Sequence, residues 1–267
     1  MSIMLECRNV TKYYGGLAAV QGLSFQVNEG EIYGIAGPNG AGKTTLFDVI
    51  SAHTPISAGE IYFRGIPIHK KPSFEIYRLG IARTFQIPVV FQSQSVLMNV
   101  VVGSQFGCQR RSLISLLRFD DKVIQKSYET LERVGLAEIA NEPSANLSLF
   151  DKKRLMLASA LVADPQVLLL DEPVGGLNVD EINELMKLIR KVRDEGVTIV
   201  IIEHIMRALM GLSDRVLIMH YGQKLFEGLP EEASRDQQVL TVYLGEQFSR
   251  NKSQQTVESH RRVGNVN

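Results

Sequence analysis

The sequence predicts an α/β fold, a parallel sheet covered on both faces. Three observations lead there. Residues Gly37 to Thr45 read GPNGAGKTT; they sit between the mostly apolar, β-forming segment Glu31 to Ala36 and a segment with Leu46, Phe47, Val49 and Ile50 at helical spacing. Val167 to Leu170 and Val197 to Ile202 are short continuous apolar runs, the pattern of strands buried on both faces. After Asp151, helical and strand-like segments alternate, as in a sheet built from crossover connections.

Taken in order, Leu5 to Val10, Leu23 to Val27 and Glu60 to Phe63 read as strands, with turn signals at Asn28-Glu29-Gly30 and Arg64-Gly65. They are expected to form a small antiparallel sheet. From Met98 to Ala140 the pattern turns helical, with Tyr128, Leu131, Val134 and Leu136 on one face among Glu129, Glu132 and Arg133. A helical insertion is therefore expected over roughly 98–164. Within it, Cys108 to Arg118 reads as a basic amphipathic helix, with a membrane-surface role or a plain surface helix as the alternatives. Lys152 to Val162 and the amphipathic stretch Glu181 to Arg193 read as helices. The folded domain is expected to span 5–245; the tail, 246–267, is polar with few large apolar residues and is expected to be disordered.

The 267 residues suffice for one large domain or two small ones. Lys+Arg and Asp+Glu are equal at 29 each, so no overall field favours nucleic acid or an anionic membrane. Cys7 and Cys108 form no ligand cluster and read as reduced thiols. No apolar run reaches about 18 residues, so no segment is expected to cross a bilayer. Met1 to Glu6 lacks the layout of a signal peptide. The expectation is a soluble, cytoplasmic chain.

The glycine-rich stretch fits the template G-x-x-x-x-G-K-[ST] through Gly37, Gly42, Lys43 and Thr44. Such a loop wraps a polyphosphate with its own N–H groups, which glycines let turn inward. The candidate phosphate-binding residues are Gly37, Pro38, Asn39, Gly40, Ala41, Gly42, Lys43, Thr44 and Thr45. Lys43 is expected between the β- and γ-phosphates of a bound ATP, and Thr44 on Mg2+. The apolar run at Val167 ends in Asp171-Glu172, which places two carboxylates at the carboxyl edge of the sheet. Asp171 suits Mg2+ through water, and Glu172 suits a general base for the attacking water. A second such run ends at Glu203-His204, where His204 suits a donor to the γ-phosphate. Gln86 closes Arg83-Thr84-Phe85-Gln86 and is either a group for Mg2+ and the attacking water or a plain loop residue. Tyr14, before Gly15-Gly16, is either an adenine-stacking aromatic or a core tyrosine.

Together these elements resemble the ATP-binding subunit of ABC transporters over about Leu5 to Gly245. The matching segments are GPNGAGKTT (37–45), RTFQ (83–86), LLLDEP (168–173), GGLNVDE (175–181) and IIEH (201–204). KYYGGLAAV (12–20), RTFQ, DEPVGGLN and YGQKLFEGLPEE (221–232) look like the branched-chain amino-acid importer group, which urea and amide importers resemble. The resemblance implies a P-loop NTPase (RecA-like) core of ABC ATPase type with an antiparallel β subdomain and a helical subdomain. It implies ATP and Mg2+ as cofactors and hydrolysis coupled to import. It implies a head-to-tail pair of ATPase subunits, a homodimer or a heterodimer, that sandwiches ATP and drives two integral membrane permeases. A solute-binding protein would act upstream, and the chain would sit on the inner face of the cell membrane. No nucleic acid is expected. On this resemblance Tyr14 stacks adenine, Gln86 senses Mg2+ and the membrane subunits, Glu172 is the catalytic base and His204 is the γ-phosphate switch.

One motif departs. The family signature, LSGGQ or LSYGQ, is here Leu147-Ser148-Leu149-Phe150-Asp151, followed by Lys152-Lys153-Arg154 as in the family. The signature grips the γ-phosphate on the partner's loop with Ser148, glycine amides and a helix N-terminus. Phe150 is expected to block close backbone approach. At about 5 Å and an effective dielectric near 20, a carboxylate at Asp151 costs roughly 3 kcal/mol per phosphate charge before screening. Two readings stand open: drift or an engineered substitution in a dispensable motif, or functional asymmetry in which this chain is a poorly hydrolytic regulatory subunit. Asn178 departs from the aspartate of most of the superfamily but matches the importer group.

Overall fold

The computed structural model describes residues 2–107 and 120–242. β1 (Ile3–Tyr14) and β2 (Leu17–Asn28) form an antiparallel hairpin that turns at Gly15-Gly16. β4 (Ala58–Phe63) pairs with the other edge of β1, and β5 (Ile66–Pro67) completes a sheet of order β2-β1-β4-β5. Both hairpin strands outrun the expected segments. The reason is a set of register shifts between Cys7 and Lys12, with Asn9 at a φ of 48°. Each bulge breaks the period-two alternation by which a strand is recognised.

The second sheet has order β10-β9-β3-β8-β7-β6. It comprises β3 (Ile32–Ala36), β6 (Ile81–Arg83), β7 (Val167–Asp171), β8 (Thr198–Ile202), β9 (Arg215–His220) and β10 (Gln223–Gly228). The pairs are parallel except β9 with β10. Among these, β6, β9 and β10 lie outside the strands expected from the sequence; β6 is three residues long, too short to show a period.

Successive residues face opposite sides of the sheet. Tyr33, Ile35, Leu169, Val200, Ile202 and Leu217 join a core beneath the antiparallel sheet and α1 (Lys43–Ile50). Ile32, Leu168, Leu170, Ile199, Ile201 and Val216 join a second core. That core is covered by α3 (Val96–Gly107), α4 (Asp121–Val134), α5 (Leu149–Leu161), α6 (Val179–Asp194) and α7 (Met206–Leu212). α2 (Ser73–Leu79) precedes β6, and α8 (Pro230–Ala233) follows β10. The expected helical insertion contains α3, α4 and α5, and Leu131, Val134 and Leu136 are buried as their spacing requires. Asn178 caps α6 in a capping box with Glu181. The basic stretch Cys108 to Arg118 and the tail 246–267 lie outside the described residues. Among the described residues, no helix is long and apolar enough to cross a membrane.

Leu169→Ala, in the middle of the sheet, is expected to destabilise the chain by about 2–5 kcal/mol. Loss of the cap in Asn178→Ala is expected to cost about 1 kcal/mol. Urea unfolding followed by circular dichroism measures both.

Candidate nucleotide-binding site

The parallel register assembles the site. Ile35 of β3 pairs with Ile202 of β8, and Ile202 pairs with Asp171 of β7. Beyond this row, three chains leave the sheet at one edge: the loop from Gly37, the segment Glu203-His204, and Glu172-Pro173. This carboxyl edge is where open α/β sheets bind ligands.

At Gly37 and Gly42 the glycine loop is held against its neighbours without room for a side chain. A Cβ on Gly37 would stand 2.2 Å from the carbonyl oxygen of Met219, and one on Gly42 would stand 2.1 Å from that of Ala19. Both residues also occupy positive φ, 149° and 97°, where L-residues are strained. Gly42 is the N-cap of α1 and no side chain caps that end, so its first amides face the loop. Lys43 is buried and its Nζ donates to the carbonyls of Gly37 and Pro38 at 2.7 and 2.9 Å. Asn39 and Gly40 form the exposed tip, Ala41 is buried, and Thr44 is exposed at the start of α1, with Thr45 half-buried.

The two carboxylates have different surroundings. Asp171 is buried, and its Oδ2 accepts from an Arg83 guanidinium nitrogen at 3.0 Å. Burial pushes this carboxyl up from the usual range, and the bond from Arg83 opposes that. Arg83 also donates to Asp48 and Ser51 and lies over the rings of Phe47 and Phe85. Glu172 lies half-buried in the left-handed region, at a φ of 47°. Its N–H donates to Ile202, and its carbonyl accepts from Lys153 Nζ at 3.1 Å. Gln86 Nε2 donates to Glu172 Oε2 at 2.7 Å, and His204 Nδ1 lies 3.4 Å from the same oxygen. The structure thus gathers Gln86, Glu172 and His204 into one polar group. Tyr14 is not a core tyrosine; it is 47% exposed, with the Lys12 ammonium 4.9 Å from its ring centre.

The residues present fit a Mg2+ ion. Asp171, Thr44 and Gln86 offer only hard oxygen donors, the set that Mg2+ prefers. Among the described residues, no group of three or more His, Cys, Asp or Glu side chains could hold a metal.

Ser148 is the N-cap of α5: its Oγ accepts from the Asp151 N–H at 3.0 Å and donates to Asp151 Oδ2 at 2.8 Å. Asp151 is also ion-paired with Arg154, whose guanidinium lies 4.6 Å from the ring centre of Phe150. Phe150 packs against the helical core. The expected charge penalty at Asp151 is therefore reduced by Arg154. A different handicap replaces it, because the Ser148 hydroxyl already spends its proton on Asp151.

Three residues of the site carried no role in the sequence reading: Arg83, Lys153 and Glu203. Arg83 and Glu203 stand in motifs beside residues that did, and Lys153 stands in a polar run after the signature. Their burial is a tertiary property. A charged residue at a strand end reads as solvated until its neighbours are known.

Gly42→Ala combines strain with a backbone clash. It is expected to weaken nucleotide binding at least about tenfold, an energy of roughly 1.4 kcal/mol. Fluorescence titration with a nucleotide analogue checks this, with Gly16→Ala as the control, since a Cβ there meets nothing within 4 Å.

Residues 20–175 match a family model described as ABC transporter. The chain is 36% identical over 250 residues to the high-affinity branched-chain amino acid transport ATP-binding protein LivG of Salmonella typhimurium, covering 91% of this chain and 98% of that one. Its fold is similar to the ADP conformation of an ATP-binding cassette of an ABC transporter, with a TM-score of 0.84, 29% identity and coverage of 92% and 100%. It is also similar to a dimeric bacterial ABC transporter cassette, with a TM-score of 0.75, 25% identity and coverage of 85% and 99%. With the family model matching more than half of the chain, the chain belongs to the ABC transporter family as one of its nucleotide-binding ATPase cassettes.

Proposed function

We propose that this chain is the ATP-hydrolysing subunit that energises an importer for branched-chain amino acids or a related small polar solute. The observation that carries the reading is the Gln86–Glu172–His204 group at the same sheet edge as the phosphate loop. The loop amides and Lys43 bind the triphosphate, and Tyr14 stacks on the adenine. Glu172 accepts a proton from the attacking water, which Gln86 orients. His204 donates to the γ-phosphate and reports its presence to the loop after β8. When bound, Mg2+ neutralises charge on the β- and γ-oxygens, and Thr44, Asp171 and Gln86 are the residues that would hold it.

The partners in this reading are a second cassette, two membrane permeases and an upstream solute-binding protein. The chain is peripheral on the cytoplasmic face of the membrane through the permeases. Phe85, Ile87, Val89 and Phe91 flank and follow Gln86 as exposed large apolar residues. An apolar surface on the segment that carries a catalytic glutamine suits a docking face for a permease.

The second reading is a regulatory subunit paired with a better ATPase. The bond from Ser148 to Asp151 favours it for the partner's site, because that hydroxyl is the signature's donor to the partner's ATP. The chain's own phosphate loop is unaffected.

The purified chain is expected to bind Mg-ATP, and no affinity at millimolar nucleotide would refute both readings. In the assembled transporter, Glu172→Gln is expected to lower turnover by at least about a hundredfold. Unchanged hydrolysis would remove Glu172 from the base role. Restoring the signature with Phe150→Gly and Asp151→Gln together is expected to raise turnover if the subunits are asymmetric; equal rates argue that the motif is dispensable.

A further inference from the structure

We infer that Glu203 is a positioning residue that locks the loop after β7 to the loop after β8, while Lys153 of α5 holds the backbone of Glu172 from the other side. The inference rests on the hydrolytic reading above and adds two residues to it.

Glu203 is fully buried, and its two carboxylate oxygens are both used. Oε1 accepts from the Val174 N–H at 2.9 Å. Oε2 accepts from the His204 and Ile205 N–H groups at 3.1 and 3.3 Å. Val174 lies two residues beyond Glu172. One side chain therefore fixes the backbone beside both members of the 3.4 Å Glu172–His204 contact. Burial pushes the Glu203 carboxyl up from the usual range, and the N–H bonds from Val174, Ile205 and His204 oppose that by favouring the ionised form. A carboxylate is the one side chain that offers acceptors alone on both atoms, so a glutamine must turn an NH2 toward one of the two loops.

Lys153 completes the arrangement from another element. Its side chain is buried, and its Nζ donates to the carbonyl of Glu172. Burial lowers its ammonium pKa, while the charges of Glu203 and Glu172 oppose that. The bond bears on a strained residue, since Glu172 is held at positive φ, a conformation that costs on the order of 1–3 kcal/mol and persists only when its surroundings enforce it. α5 begins beside Ser148, so Lys153 ties the signature helix to the backbone of the proposed base. A purely structural role for Glu203 and Lys153 would lower stability without a selective effect on the chemical step.

The test uses the full chain in its assembled transporter, with kcat and KM for ATP, melting temperature, and Mg-ATP affinity of the chain. Glu203→Gln is expected to lower kcat by about tenfold to a hundredfold while KM stays within about twofold, the pattern of a displaced reacting group. Lys153→Met is expected to do the same, and Lys153→Arg to recover most of the rate. The double variant Glu203→Gln/Lys153→Met is expected to lose less than the product of the single losses. A wild-type kcat in Glu203→Gln, or a raised KM at unchanged kcat, overturns the inference. If Glu203→Gln does not fold, Lys153→Met decides alone, and wild-type kcat in it overturns the inference. A wild-type transporter that does not hydrolyse ATP would instead refute the hydrolytic reading.

Discussion

The site depends on the parallel register in which Ile35 pairs with Ile202 and Ile202 with Asp171. A strand pair slipped by one residue would turn every side chain to the other face. Here the register is enforced by burial on both faces, because β3, β7 and β8 carry no exposed residue. The row ends three strands at one level. The carboxylates and the histidine then leave the sheet at the same edge as the phosphate loop, although more than a hundred residues separate them from that loop along the chain.

Charge is concentrated behind this edge. Two buried cations, Arg83 and Lys153, approach from opposite sides of β7: Arg83 from the neighbouring strand β6, and Lys153 from α5. Arg83 holds Asp171, and Lys153 holds the backbone of Glu172. Burying such groups is costly unless each is paired and hydrogen-bonded. Their pairing therefore serves geometry more than net stability. It fixes the Asp171 carboxylate and the backbone of Glu172.

The signature segment obeys the same local physics with a different outcome. Ser-x-x-Asp at the start of α5 makes a capping arrangement, and Arg154 one turn on completes an ion pair. That stabilises the helix start and uses the hydroxyl and carboxylate internally.

Much of this was legible in the sequence. GPNGAGKTT is recognisable because its glycines are required by geometry, and the backbone contacts that a side chain would meet at Gly37 and Gly42 are that requirement seen from the folded side. The apolar runs at Val167 and Val197 announced buried strands because they are short and β-branched or Leu-rich between turn signals, whereas the equally buried run Leu155 to Ala158 belongs to a longer helix. The bulged hairpin, the short β6 and the β9–β10 pair were not legible, since bulges and very short strands leave no period. The placement of Glu203, Arg83 and Lys153 in the interior was hidden too. Local pattern by itself determined the regular buried strands β3, β7 and β8, the longer helices and the order of the chemical groups along the chain. Only the tertiary structure decided which charges are buried, which carboxylate faces which cation and where the Ser148 proton goes, because those depend on neighbours brought together by strand pairing across long stretches of sequence.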